Sequence, residues 1–239
     1  MKQGIGDIWT ILQQSLPLIV ANRPVKPTNN PMVDKIVSIY DMILNPDLQL
    51  PHVYILHTDA RMNDDLSNFE QTVYSSCTCD YLRPVVSYFV SELMCNVEQH
   101  ADVPLGYGIV HYDSSNRTLL LGIADGGISI YGSYTRTQKY QNEIGDSDAQ
   151  ALYLAQNGYS TKNLPDAENR GYGISSNAKL IVEGLSGAFS IVSGNALFYR
   201  AKGVKQIITL PNDIDWPGTL VLAEIPLPNQ VINLYKYIN

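Results

Sequence analysis

The chain has 239 residues, 45% hydrophobic and 16% charged, a globular composition long enough for one sizeable core. Its 16 basic residues are outnumbered by 23 acidic ones, giving a net charge of −7, and no basic cluster stands out, so nucleic acid is not expected as a general partner. No apolar run nears the ~20 residues that span a bilayer; Gln13, Gln14 and Pro17 interrupt the N-terminal run, and three cysteines are an odd, low count, so a reducing, cytoplasmic setting without membrane span or secretory signal is expected.

Residues 8–19 and 32–44 have helical spacing, and Val33, Ile36, Val37, Tyr40, Ile43 and Leu44 make one apolar face in the second. Residues 21–31, rich in Asn and Pro, read as a loop. Residues 53–56 read as a short strand and residues 64–74 as a polar helix. Cys77 and Cys79 read as plain thiols, since no second pair completes a metal site.

Residues 80–102 carry the clearest pattern. Leu82, Val85, Val86, Phe89, Val90, Leu93, Met94 and Val97 recur at helical spacing and predict a wide buried face. Asp80 is expected to cap this helix, with Pro84 in its first turn. Glu92, Asn96 and His100 stand four residues apart. Each step of four drifts about 40° on an α-helix, so the three stack along the flank of the apolar face. Leaving such groups buried and unpaired costs about 1–3 kcal/mol each. A solvated helix edge is the plain alternative.

Residues 108–112 and 117–124 predict a hairpin around Asp113-Ser-Ser-Asn116. The second strand runs into Asp125-Gly126-Gly127, a tight turn or a place of close approach. Residues 131–145 are polar and carry no predicted element. Residues 147–156 predict a helix ended by Gly158. Gly158-Tyr-Ser-Thr-Lys162 and a loop with Pro165 then lead to Gly171-Tyr172-Gly173. A glycine turn opening a helix suits an anion, though it also serves simple turns. That helix is expected to end at Gly187. Strands follow at 189–192, 197–200, 206–210 and 219–225, the last opened by Gly218-Thr219. Adjacent antiparallel strands with helices gathered on one face predict an α+β fold, a two-layer α/β sandwich. Residues 1–77 are set apart as a mostly helical N-terminal extension, and residues 78–239 as the domain.

The order of these motifs resembles the ATP-binding domain shared by sensor histidine kinases, DNA gyrase, heat-shock chaperone ATPases and the MutL mismatch-repair proteins. This is the Bergerat-fold, or GHKL, superfamily, and the resemblance covers roughly residues 78 to 228. Glu92-Leu-Met-Cys-Asn96 with His100 resembles the family's N box. The resemblance implies Mg²⁺ held by Asn96 and ATP bound beside it, with Glu92 as the general base of the ATPase branches and His100 near the nucleotide. It implies that Asp125 accepts a hydrogen bond from the adenine amino group, with Gly127 and Thr219 beside it. Ser160, Thr161 and Lys162 resemble the lid, and Gly171, Tyr172 and Gly173 the second glycine box, which together cradle phosphates. One departure is Ser129, where the first glycine box usually ends in Gly. His52, His57 and His111 lack the context of a phosphoacceptor histidine.

The implied function is a Mg-ATP-binding signalling module, acting as a protein kinase or a nucleotide switch, with a protein partner or phosphoacceptor. A homodimer is compatible with it. A self-contained ATPase using Glu92, and a non-enzymatic module that keeps the fold, are the alternatives.

Overall fold

The computed structural model describes residues 52–161, 172–210 and 215–238, with backbone only at His52, Val53 and Tyr172. The stretches expected to be helical at 8–19 and 32–44 lie outside the described residues, as do Lys162 and Gly171. Seven strands are present among them: β1 (His52–His57), β2 (Leu105–Asp113), β3 (Thr118–Asp125), β4 (Ala188–Gly194), β5 (Ala196–Ala201), β6 (Val204–Thr209) and β7 (Trp216–Pro226). They form one sheet in the order β1-β2-β3-β7-β4-β5-β6. Every neighbouring pair is antiparallel. The helices are α1 (Met62–Cys77), α2 (Arg83–Asn96), α3 (Ile130–Thr137), α4 (Gln141–Ile144), α5 (Asp148–Gln156) and α6 (Tyr172–Lys179). The fold is α+β, as the sequence predicts.

Successive side chains of a strand point to opposite faces of the sheet, and this alternation divides the core. On β3, Leu119, Leu121 and Ile123 join the large cluster beneath the helices. Leu120 and Ala124 join a second cluster on the other face. The apolar face of α2 lies in the first cluster, with Val85, Val86, Phe89, Val90 and Met94 fully buried. That burial fixes the rotation of α2, and so fixes where Glu92 and Asn96 emerge.

Residues 52–77 share this sheet and core. Strand β1 pairs with β2 along its whole length, from His52 opposite Val110 to His57 opposite Leu105. Leu66, Phe69, Val73 and Cys77 recur at helical spacing and are buried on α1. The Phe69 ring fills the space over Gly108, where a Cβ would stand 2.7 Å from it. Tyr54 packs on the same ring, centroids 5.4 Å apart.

Four local expectations are corrected. Asp80 does not cap α2; it opens a short 3-10 turn, and Leu82 precedes α2 with no side-chain cap. Its carboxylate instead takes the Arg83 guanidinium at 2.8 Å. The stack of four-residue steps does not continue as α-helix: α2 ends at Asn96 and Val97–Ala101 forms a π-helical turn, so His100 sits on a wider coil than Asn96. Residues 131–145 contain α3 and α4. Ser129 caps α3, its Oγ accepting from the Gly132 N–H at 3.1 Å, so the residue that departs from the glycine pattern starts a helix. The final helix gives way to a π-helical turn at Leu180–Gly184 and stops before Gly187.

The end of α5 follows the expected glycine signal. Gly158 has φ of +83°. The Tyr159 N–H donates to Leu154 O at 3.2 Å, and the Gly158 N–H to Ala155 O at 3.3 Å. This paired pattern is a Schellman stop, and it turns Tyr159, Ser160 and Thr161 back across the end of α2.

Phe69→Ala is expected to cost about 3–5 kcal/mol, the usual loss for a fully buried aromatic. Urea unfolding should lose that amount in one cooperative transition. A loss under about 1 kcal/mol, or a separate early transition, would mean that α1 and β1 do not belong to the common core.

Candidate functional site

A cavity of about 160 Å³ opens between α2 with its π-turn, the ends of β3 and β7, α3, the turn after α5, and the start of α6. Glu92, Asn96, His100, Asp125, Ser160, Thr161, Gly173 and Thr219 all line it. Among the predicted site residues, Gly127 is not on the wall. Lys162 and Gly171 lie outside the described residues, and only the backbone of Tyr172 is described.

Asp125 closes β3 and is 4% exposed. The Gly127 N–H donates to its Oδ1 at 2.9 Å, and the Thr219 N–H also donates to the carboxylate. Burial pushes its pKa up to about 7 against these two donors, which pull it down. The carboxylate therefore sits at the floor of an apolar-walled pocket, and two backbone donors hold it in place. Trp216 supports the other side of the same residue, donating Nε1–H to Asp125 O at 3.1 Å.

Space around Asp125 is made by two glycines. At Gly218 a Cβ would stand 2.2 Å from Asp125 Oδ1 and 2.4 Å from its carbonyl oxygen. At Gly127 a Cβ would stand 1.9 Å from Ala101 O. The resemblance implies that Gly127 leaves room for a ring. In the structure its bare Cα leaves room for the end of the π-turn. The neighbouring Ile128 N–H donates to that same Ala101 oxygen at 2.9 Å. The loop carrying Asp125 and the helix carrying Asn96 are thus joined at their ends.

Glu92, also on the wall, meets the start of α6. A Cβ on Gly173 would lie 2.7 Å from Glu92 Oε2 and 3.8 Å from Asn96 Nδ2. Glycine at this position lets the first turn of α6 approach both side chains. A carboxylate beside the first turn of a helix is favoured by the free N–H groups there. Tyr88 is close by, and burial and the Glu92 charge push its pKa up.

A chain of polar groups closes the third side. His100 Nδ1 lies 3.0 Å from Thr161 Oγ1, and Thr161 Oγ1 lies 3.1 Å from Ser133 Oγ. Tyr134 donates its hydroxyl to Tyr159 O. Sequence reasoning missed Ser133 and Tyr134, because α3 was not predicted. It also missed the role of Ser193, which holds three elements together. Ser193 Oγ accepts from the Ile130 N–H at 2.8 Å and donates to Gly218 O at 2.9 Å, so α3, β4 and β7 meet there. Nothing in the local sequence around Ser193 signals this.

No family model matches the chain, and no curated protein is significantly similar to it. The chemistry of the cavity is therefore read from its own walls. The described lining holds two carboxylates, one amide and one imidazole, with Leu93, Val97, Ile123, Ile128 and Val221 among its apolar walls. No Lys or Arg is among the described lining residues. Such a pocket suits a flat apolar group that offers an N–H donor to Asp125, with its polar remainder directed to Glu92 and Asn96.

Because the Asp125 pKa is about 7 when folded and ordinary (3.8) when unfolded, the folded state binds this proton more tightly. The group's contribution falls as pH rises through about 7, where the buried carboxyl must ionise, and recovers on acidification. The melting temperature of the wild type, taken relative to Asp125→Asn, should therefore rise between about pH 8 and about pH 5. Parallel profiles for the two proteins would contradict the burial of this carboxyl.

Proposed function

We propose that the chain is a Mg-ATP-binding module of the histidine-kinase-like, Bergerat type, acting as a protein kinase or nucleotide switch toward a protein partner. The observation that carries this reading is that Asp125 and Asn96, far apart in sequence, line the same cavity, with Glu92 and Asn96 both beside the start of α6. The resemblance requires these two side chains to face one cleft.

The residues fit the ligand in two respects. Gly218 makes the cradle that keeps the Asp125 carboxylate in place. Asp125 offers a buried acceptor to an exocyclic amine, and Ile123, Ile128 and Val221 are apolar neighbours for a purine face. Asn96 and Glu92, which line the same cavity, offer oxygens, the donor type that Mg²⁺ takes. Mg²⁺ would be held by Asn96, and when bound it supplies neutralising charge for phosphate oxygens. That charge is needed here. Glu92 lies against the first turn of α6, so a phosphate directed there meets a carboxylate. Nucleotide binding should accordingly be weak without a divalent ion.

Glu92 is the residue that decides between transfer and hydrolysis. As a general base it would take a proton from water in an ATPase, or from a hydroxyl of a protein acceptor in a kinase. The position of Glu92 serves both, so the fate of the γ-phosphate is the discriminating observation.

At a hundredfold excess over Kd, Mg-ATP should stabilise the chain by about 2.7 kcal/mol, or about 5–10 °C. Asp125→Ala should abolish that shift, as should chelation of Mg²⁺. An undiminished shift in Asp125→Ala, or none in the wild type, would remove the proposal. Glu92→Ala should keep the shift while phosphate release or transfer falls about 10²–10⁴-fold. Unchanged turnover in that variant would exclude Glu92 as the base.

A further inference from the structure

Two of the hydroxyls that line the cavity hold backbone in place: Ser129 caps α3, and Tyr134 donates to Tyr159 O. Thr161 is placed differently. Its Oγ1 lies 3.0 Å from His100 Nδ1 and 3.1 Å from Ser133 Oγ, and all three side chains line the cavity. Thr161 and His100 are both half-buried, so the pair opens on the cavity instead of being sealed in the core. A hydroxyl held against an imidazole nitrogen has the geometry of a nucleophile beside its base.

Helix α3 holds both members of the pair. Ser133 meets the Thr161 hydroxyl. Three residues further along, Arg136 Nη2 donates to His100 O at 3.3 Å, and its Nη1 lies 3.4 Å from Asp102 Oδ2 just after the π-turn. Residues four apart on a helix have Cβ atoms about 5–6 Å apart, so the pair stands one turn from Asn96.

We propose that Thr161 is itself a phosphoacceptor, taking the γ-phosphoryl group of a nucleoside triphosphate held in the same cavity. The inference rests on the nucleotide reading above and names an acceptor for it. Thr161 Oγ1 forms a bond to the γ-phosphorus. The bond from that phosphorus to the β–γ bridging oxygen breaks, and the nucleoside diphosphate leaves with its electron pair. The hydroxyl proton passes to His100 Nδ1, in the tautomer whose other nitrogen, Nε2, carries the ring proton. Donor and acceptor share one cavity, so the transfer takes place within one chain. It also limits itself. A phosphate on Thr161 adds up to about two negative charges. The described cavity lining already holds Glu92 and Asp125 and no Lys or Arg, so a second triphosphate is repelled.

The wild-type chain incubated with Mg-ATP should gain one phosphoryl group by intact mass. The modification should survive acid, as a threonine ester does and a phosphohistidine or acyl phosphate does not, and peptide mapping should place it on Thr161. Its rate per chain should not change with protein concentration. Thr161→Val should abolish it, Thr161→Ser should keep it, and His100→Gln should slow it about 10²–10⁴-fold. Without nucleotide, the nitrogen resonances of the His100 ring should move in Thr161→Val. The phosphorylated chain should show a smaller Mg-ATP melting shift than the unmodified one. A wild type that Mg-ATP stabilises but that carries no phosphate on Thr161 overturns this proposal and leaves the nucleotide reading standing; no stabilisation at all overturns both. Phosphate on another residue, a rate that rises with protein concentration, unmoved His100 resonances, or an undiminished melting shift after modification would each overturn it as well.

Discussion

A buried carboxylate governs this architecture. Asp125 ends β3 at 4% exposure, and two backbone N–H groups bond it. Burying an ionisable group costs free energy unless its environment compensates, and two neutral donors compensate in part. The rest of the local structure is arranged to keep those donors in place. Gly218 has no side chain because the carboxylate occupies that space. Gly127 turns the chain so that its N–H reaches Oδ1, and is itself pressed against Ala101 O.

That last contact links the carboxylate to the helix on which the other polar groups stand. The π-helical turn Val97–Ala101 delivers Ala101 O to the Ile128 N–H and lets His100 reach Thr161. An insertion of this kind costs regular hydrogen bonding and is tolerated where it positions functional groups. The Schellman stop at Gly158 brings Thr161 to the same place from the other direction. The cavity is therefore formed where three element ends converge, and each end is fixed by backbone geometry.

Much of this was legible in the sequence because it depends on local periodicity. The buried face of α2 is a one-dimensional pattern, and it predicted the flank on which Glu92 and Asn96 emerge. The α+β layout followed from patterns of that kind. What was not legible depends on contacts between distant residues. Gly218 opens a strand in the sequence and makes room for Asp125 in three dimensions. Ser129 departs from a glycine pattern in the sequence and caps α3 in the structure. The polar composition of residues 131–145 hid two short helices, whose apolar anchors, Tyr134 and Ile144, are too few for a periodic signal. Asp80 fitted the cap rule, but Arg83 three residues later competes for its carboxylate.

The central claim is that a purine meets Asp125 while its phosphates lie toward Asn96. A crystal structure with Mg²⁺ and a non-hydrolysable ATP analogue tests it most directly. The account predicts the adenine amino group within hydrogen-bond reach of the Asp125 carboxylate and the metal ion on the Asn96 side-chain oxygen. Nucleotide bound elsewhere, or a ring turned away from Asp125 with the metal bound on other residues, would contradict it.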